Sequence, residues 1–184
     1  MGVLIIHTNK YFETALNRTL GFEGGWSDDP DDSGGKTKYG ITEATWKRYW
    51  KVKGQPVPYP IRNIRLSDAG NVYKKLYWDD IGMGLIEGKV IQSVVNEIFD
   101  AVVNGGGVKL AQRAVNMLYD AGDVKIKEDG VLGPKTAAAL IALNKPHKGA
   151  SLLAAIRGER YIWYKALDKG SQEKFVLSWT RRLV

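Results

Sequence analysis

The chain has 184 residues, no cysteine and a formal net charge of +7 at pH 7. The missing cysteines exclude disulfides, thiolate metal sites and cysteine nucleophiles. An apolar fraction of 44% excludes global disorder and suits one domain or two small ones. Such a charge favours polyanionic partners: nucleic acid, an anionic membrane face or an anionic wall polymer. The opening MGVLIIHTNK holds four consecutive aliphatic residues. A secretory core needs about 7–15 and a membrane span about 20, so neither is expected.

Thr8 or Asn9 caps an expected first helix whose Phe12, Ala15, Leu16, Thr19 and Leu20 draw one stripe. It should end near Glu23, before Gly24-Gly25. An Asp-rich loop follows. Thr42 caps a second helix carrying Ala44, Trp46 and Tyr49, and VKGQPVPYPI reads as an extended loop. Ser67 starts a third helix with Val72, Leu76 and Tyr77. Residues 89–104 read as a buried helix stopped by Gly105-Gly106-Gly107. The next helix has Leu110, Ala114, Met117 and Leu118 on one stripe. Pro134 opens another, where a missing N–H costs nothing. Helical stretches at 150–168 and 171–183 close the chain. The expected class is mainly α, with a loop or short hairpin at 26–41 and no internal repeat. The expected division is 8–92 and 93–184, the two parts sharing one core.

The stretch GFEGGWSDDPDDSGGKTKYGIT, residues 21–42, gathers acidic residues into one loop. Three chemistries compete for it. From Asp29 the pattern D-x-D-x-S-G opens like a calcium loop, but the twelfth position is Gly40 rather than a bidentate Glu. An Asp-rich surface turn needs no ligand at all. A glycosidase site needs one carboxyl kept protonated and a second that stays ionised. Glu23, at an expected helix C-terminus between Phe22 and Trp26, suits the first role, since the dipole and the apolar flanks both disfavour its charge. The aspartates lie among glycines, where water and backbone N–H groups favour ionisation.

Glu23-Gly24-Gly25-Trp26, Asp29-Pro30-Asp31-Asp32, Gly34-Gly35-Lys36-Thr37 and Gly40-Ile41-Thr42 together resemble the signature of glycoside hydrolase family 108. LYWDDI (76–81), FDAVVNGG (99–106), EDGVLGPKTAAAL (128–140) and the closing RGERYIWY and FVLSWTRR extend the resemblance over nearly the whole chain. It implies a lysozyme-like helical fold with a C-terminal peptidoglycan-binding-like region. It also implies an N-acetylmuramidase cutting the β-1,4 bond between N-acetylmuramic acid and N-acetylglucosamine, as in phage endolysins or bacterial secretion activators. Glu23 matches the family's catalytic Glu. Phage-type lysozymes show E-x8-D-x5-T. Glu23 to Asp32 has that first spacing, while Thr37 stands one residue closer. Spacing therefore favours Asp32 over Asp29 as the second carboxylate. Either could instead pin the loop, and a mechanism with one essential carboxyl stays open.

Trp26 and Tyr39 flank the acidic loop as candidate sugar contacts. Asp100 and Asn104, four apart on one helical face, either reach the sugar or serve the helix end. Trp46, Trp50 and Trp78 read as core. His7 and His147 share no metal-ligand spacing, so no metal or other cofactor is expected. Arg157, Arg160, Lys165, Lys169, Lys174, Arg181 and Arg182 make the C-terminal third the expected contact with an anionic wall, against a reading as solvated helix faces. The expected partner is the peptidoglycan glycan strand, with no nucleic acid and no stable membrane insertion; oligomeric state is not legible. The expected place of action is the periplasm or the wall. A chain made in the cytoplasm without a signal would then need a separate export or release route. The rival readings are a non-catalytic wall-binding module that assists secretion, a lytic transglycosylase and a chitosanase-like glycosidase.

Overall fold

The computed structural model describes residues 9–22, 25–27, 35–119, 125–145, 148–167 and 179–183. These residues are mainly α-helical, with one small antiparallel sheet. The chain divides into two units, 1–80 and 81–184.

In the first unit, helix α1 (Lys10–Leu20) begins where the Asn9 side chain accepts a hydrogen bond from the Phe12 N–H at 3.0 Å. That cap satisfies an N–H which the helix itself leaves unpaired. Phe12, Ala15, Leu16 and Thr19 form its buried stripe. Regular helix ends at Leu20, earlier than the glycine pair suggested, because the Phe22 N–H turns back to the Thr19 carbonyl and tightens the last turn. Helix α2 (Glu43–Val52) is capped by Thr42, whose side chain accepts from the Thr45 N–H. Trp46 and Tyr49 face the core, whereas Ala44 is exposed, off the buried stripe. The Trp46 indole N–H donates to the Tyr59 carbonyl at 2.9 Å, which fastens the proline-rich segment to α2.

Helix α3 (Leu66–Tyr73) opens at Arg65 instead of Ser67. The Arg65 N–H finds an acceptor in the Asp68 carboxylate at 2.7 Å, so Asp68 supplies the cap. The helix widens into a π-helical turn, Lys74–Asp79, closed by Asp80 N–H to Lys75 C=O. This turn contains most of the LYWDDI motif and buries Leu76 and Trp78. Trp78 meets Phe12 edge-on at 5.3 Å, an arrangement that the ring quadrupoles favour.

In the second unit, α4 (Gln92–Val103), α5 (Gly107–Leu118) and α7 (Lys148–Leu167) pack on one another, and α6 (Pro134–Leu143) lies against α5 and α7. The stop after α4 has a steric reason. Gly105 takes φ +99°, and a Cβ there would come within 3.2 Å of the Trp163 ring. Met117 is not part of the core stripe. It is 62% exposed and lines a groove floored by Ala154, Ala155 and Gly158, residues too small to cover it. Of the expected last helix, Arg181–Leu183 form a 3-10 turn, and 168–178 lie outside the described residues. Among the described residues no helix is long and apolar enough to cross a membrane.

Candidate active site

Strands β1 (Trp26–Ser27), β2 (Thr37–Lys38) and β3 (Ile41–Thr42) form an antiparallel sheet in the order β1-β2-β3. The expected hairpin at 26–41 is therefore present. Register pairs Ser27 with Thr37 and Thr37 with Thr42, placing three hydroxyl residues in one row. The residues connecting β1 to β2 include Asp29 and Asp32. Both lie outside the described residues, as do Glu23, His7 and His147. What the structure does fix is the framework on either side of them. Phe22 follows α1, Gly25 C=O accepts from the Tyr39 N–H at 3.3 Å, and Trp26 and Ser27 pair with β2.

The β2–β3 turn is Tyr39-Gly40, with φ of 53° and 72°. Positive φ at both central residues is the pattern of a type I′ hairpin, whose twist matches the strands it joins. Glycine takes such angles freely, but tyrosine does not. The strain is held by tertiary contacts. The buried Tyr73 hydroxyl donates to the Tyr39 carbonyl at 2.9 Å, and the Lys38 ammonium lies 5.5 Å from the Tyr39 ring centroid. Strained residues persist where the surroundings over-determine them, often beside a functional cleft.

Such a cleft opens next to the hairpin. Trp26, Lys36, Glu43, Pro60, Ile61 and Arg62 line a groove of about 340 Å³. Trp26 is 39% exposed, and the Arg62 guanidinium lies 6.0 Å from its ring centroid. The Lys38 ammonium donates to the Arg62 carbonyl at 2.8 Å, tying the 3-10 turn Ile61–Asn63 to β2. The Glu43 carboxyl titrates below its usual value, because the Lys47 ammonium 2.8 Å away hydrogen-bonds and attracts it. The groove thus offers an aromatic face, two cations and an ionised carboxylate. A sugar ring, apolar on its faces and hydroxylated at its rim, matches that combination. Sequence reading found Trp26 but missed Arg62 and Glu43. Arg62 follows the proline-rich loop and Glu43 follows the Thr42 cap, and neither carries a local signal of a sugar site. No local signal brings residue 62 to residue 26.

Asp100 and Asn104 are found at the C-terminal end of α4, where the helix-end reading fits them. Asp100 is fully buried; its carboxylate binds the Arg160 guanidinium, and Arg182 reaches it at 3.1 Å. Glu97, also buried, takes Arg160 and, at 3.1 Å, Arg157. Tyr164 accepts from Arg160 at 2.6 Å. Asn104 caps α4, its amide donating to the Asp100 carbonyl at 2.9 Å and to the Asp100 carboxylate at 3.1 Å. Fully buried, with a guanidinium on each oxygen, Asp100 presents no exposed acceptor to a sugar. The same network corrects the basic contact face. Arg160 and Arg182 are internal, and Arg157 is paired. Of the remaining residues, Lys165 and Arg181 are exposed, and Lys169 and Lys174 lie outside the described residues. Trp46 and Trp78 are core, each 1% exposed, while Trp50 is half-buried against Trp46 and Tyr49. Among the described residues no cluster of His, Asp or Glu could hold a metal ion.

A small sheet beside a groove that suits a sugar, followed in the chain by a helical unit, fits a glycoside hydrolase with an appended helical region. The family comparisons give the particulars: residues 16–106 match glycosyl hydrolase 108, and residues 106–184 match a "Predicted Peptidoglycan domain". The chain belongs to the glycosyl hydrolase 108 family, whose members act on peptidoglycan of the cell wall. Among solved structures it is similar to SagA of Brucella abortus, with 26% identity and a TM-score of 0.72. That similarity covers 94% of this chain and 88% of the other. No curated protein matches the chain. Helix α4 falls within the first family match but packs in the second structural unit, so the two divisions of the chain do not coincide.

Proposed function

We propose that the protein is an N-acetylmuramidase that hydrolyses the β-1,4 bond between N-acetylmuramic acid and N-acetylglucosamine. Glu23 gives its proton to the glycosidic oxygen as the C1–O bond breaks and the ring gains oxocarbenium character. Asp32, or Asp29, stabilises that charge or takes the proton of the attacking water, and Thr37 holds the water or the carboxylate. Trp26 and Tyr39 bind the glycan. The catalytic residues belong to 8–92, and the helical remainder, 93–184, engages the wall. The enzyme works in the periplasm or at the wall, in lysis or in remodelling for secretion.

The observation that carries this reading is the Trp26–Arg62 groove, built on the strands from which the acidic segment departs. Glu23 stands three residues before Trp26. General acid catalysis contributes about 10²–10⁴-fold, so Glu23→Gln should abolish wall clearance in a chain that still folds. Mass spectrometry of the released muropeptides decides the reaction. Hydrated reducing ends on muramic acid support it; 1,6-anhydro ends identify a transglycosylase, and undiminished lysis by Glu23→Gln removes the assignment.

A further inference from the structure

In the second unit, Lys125, Lys127 and Lys135 stand over a groove of about 640 Å³ that Tyr119, Ala138 and Ala142 also line. That volume lies within the range of small-ligand sites. The three lysines are exposed, and none has an ion-pair partner among the described residues. The neighbouring acids make their hydrogen bonds and close ion pairs with other groups. Glu128 accepts from Asn116 at 3.0 Å and pairs with Arg113. The Asp129 carboxylate accepts from the Gln112 amide at 2.9 Å and from the Val131 N–H at 3.0 Å; these bonds, and to a lesser degree the charge of nearby Lys127, pull its titration below the usual value.

The positions of the lysines are set by the fold. The Asn116 side chain clamps Ile126 through both backbone groups, each at 2.9 Å, which fixes the residue between Lys125 and Lys127. Lys135, Ala138 and Ala142 recur at i, i+3 and i+7, hence on one face of α6. The result is a floor of methyl groups with three ammonium groups, none of them ion-paired among the described residues, at its rim. Its complement is a short peptide with small side chains and several carboxylates.

We infer that this groove binds the stem peptide of peptidoglycan, its carboxylates on the lysines and its alanine methyls on the α6 alanines. The inference rests on the wall as substrate and assigns wall contact to this face. Arg160 of α7 and Arg182 of the 3-10 turn do not serve, because both are consumed internally by Asp100.

The test is an NMR titration of the full chain with the free tetrapeptide alanyl-glutamyl-diaminopimelyl-alanine. Shift changes are expected at Lys125, Lys127, Ala138 and Ala142. The combined change K125Q/K127Q/K135Q should weaken binding about tenfold, and Ala138→Glu should weaken it similarly through charge on the floor. Changing Lys51 and Lys109, exposed residues that are not part of the groove lining, to Gln should alter it by less than about twofold. Absence of shifts, shifts confined to other surfaces, or equal loss in the K51Q/K109Q control would overturn the inference. The probe has no glycosidic bond. A chain that releases muropeptides but ignores the tetrapeptide refutes this site alone, and one that binds the tetrapeptide without cutting walls refutes the muramidase reading alone.

Discussion

Tyr73 holds Tyr39 in a backbone conformation that tyrosine does not choose. Its buried hydroxyl donates at 2.9 Å to the carbonyl of a residue at φ 53°. Left-handed φ costs a non-glycine residue roughly 1–2 kcal/mol. Tyr39→Asn relieves that strain and gives up a surface cation–π contact of about 0.5–1 kcal/mol. Urea unfolding should show Tyr39→Asn as stable as the parent or better by up to about 1 kcal/mol. Wall clearance should nevertheless fall, because the ring proposed to bind the glycan is gone. Equal activity in that variant would remove Tyr39 from the glycan site.

Trp26 gives a second, opposite kind of test. At 39% exposure its removal opens little of the core, so Trp26→Ala should change stability by less than about 1 kcal/mol. Loss of a stacking face should lower kcat/KM on wall fragments about tenfold. Trp26→Phe should retain most of the activity. A Trp26→Ala enzyme with unaltered kinetics would show that the Trp26–Arg62 groove is not where the glycan lies.

The Glu97–Arg160–Asp100–Arg182 network should behave as a structural element with no direct part in catalysis. Removing one member of a buried ion network leaves a partner unneutralised, at about 3–5 kcal/mol. Asp100→Asn should therefore lower the urea midpoint by about 1 M or more. Any folded fraction should keep its activity per folded molecule. A stable Asp100→Asn protein with lost activity would return Asp100 to the substrate site.

Tyr164 makes the same network sensitive to alkali. Burial pushes its phenol above the ordinary value near 10, the Asp100 charge adds to the effect, and Arg160 opposes it. A raised folded-state pKa means that the folded protein keeps the proton longer than the unfolded chain. This contribution is fully present below about pH 10 and is lost as pH rises through the folded value. Unfolding free energies measured between neutral and alkaline pH should fall above that point, and Tyr164→Phe should flatten the decline. An identical alkaline decline in both proteins would place the cause elsewhere.

Much of this molecule was determined locally and could be read directly. Asn9, Thr42 and Pro134 start helices because a cap acts on N–H groups two or three residues away and a proline at the first helical position has no N–H to leave unpaired. Phe12, Ala15, Leu16 and Thr19 share a face because helical periodicity puts them there. The order of acidic, glycine and aromatic residues through 21–42 was enough to point to the family that the comparisons then identified. Tertiary structure alone decided which charges are spent and which are free. Arg160 lies 60 residues from Asp100, and Arg182 lies 82 from it, yet both end in one buried cluster. A basic helix face looks the same in sequence whether it meets water or a carboxylate, because the partner's approach depends on how distant helices pack. For the same reason the sequence pointed to the C-terminal arginines for wall contact. Packing leaves Lys125, Lys127 and Lys135 without ion-pair partners among the described residues and brings Arg62 over Trp26.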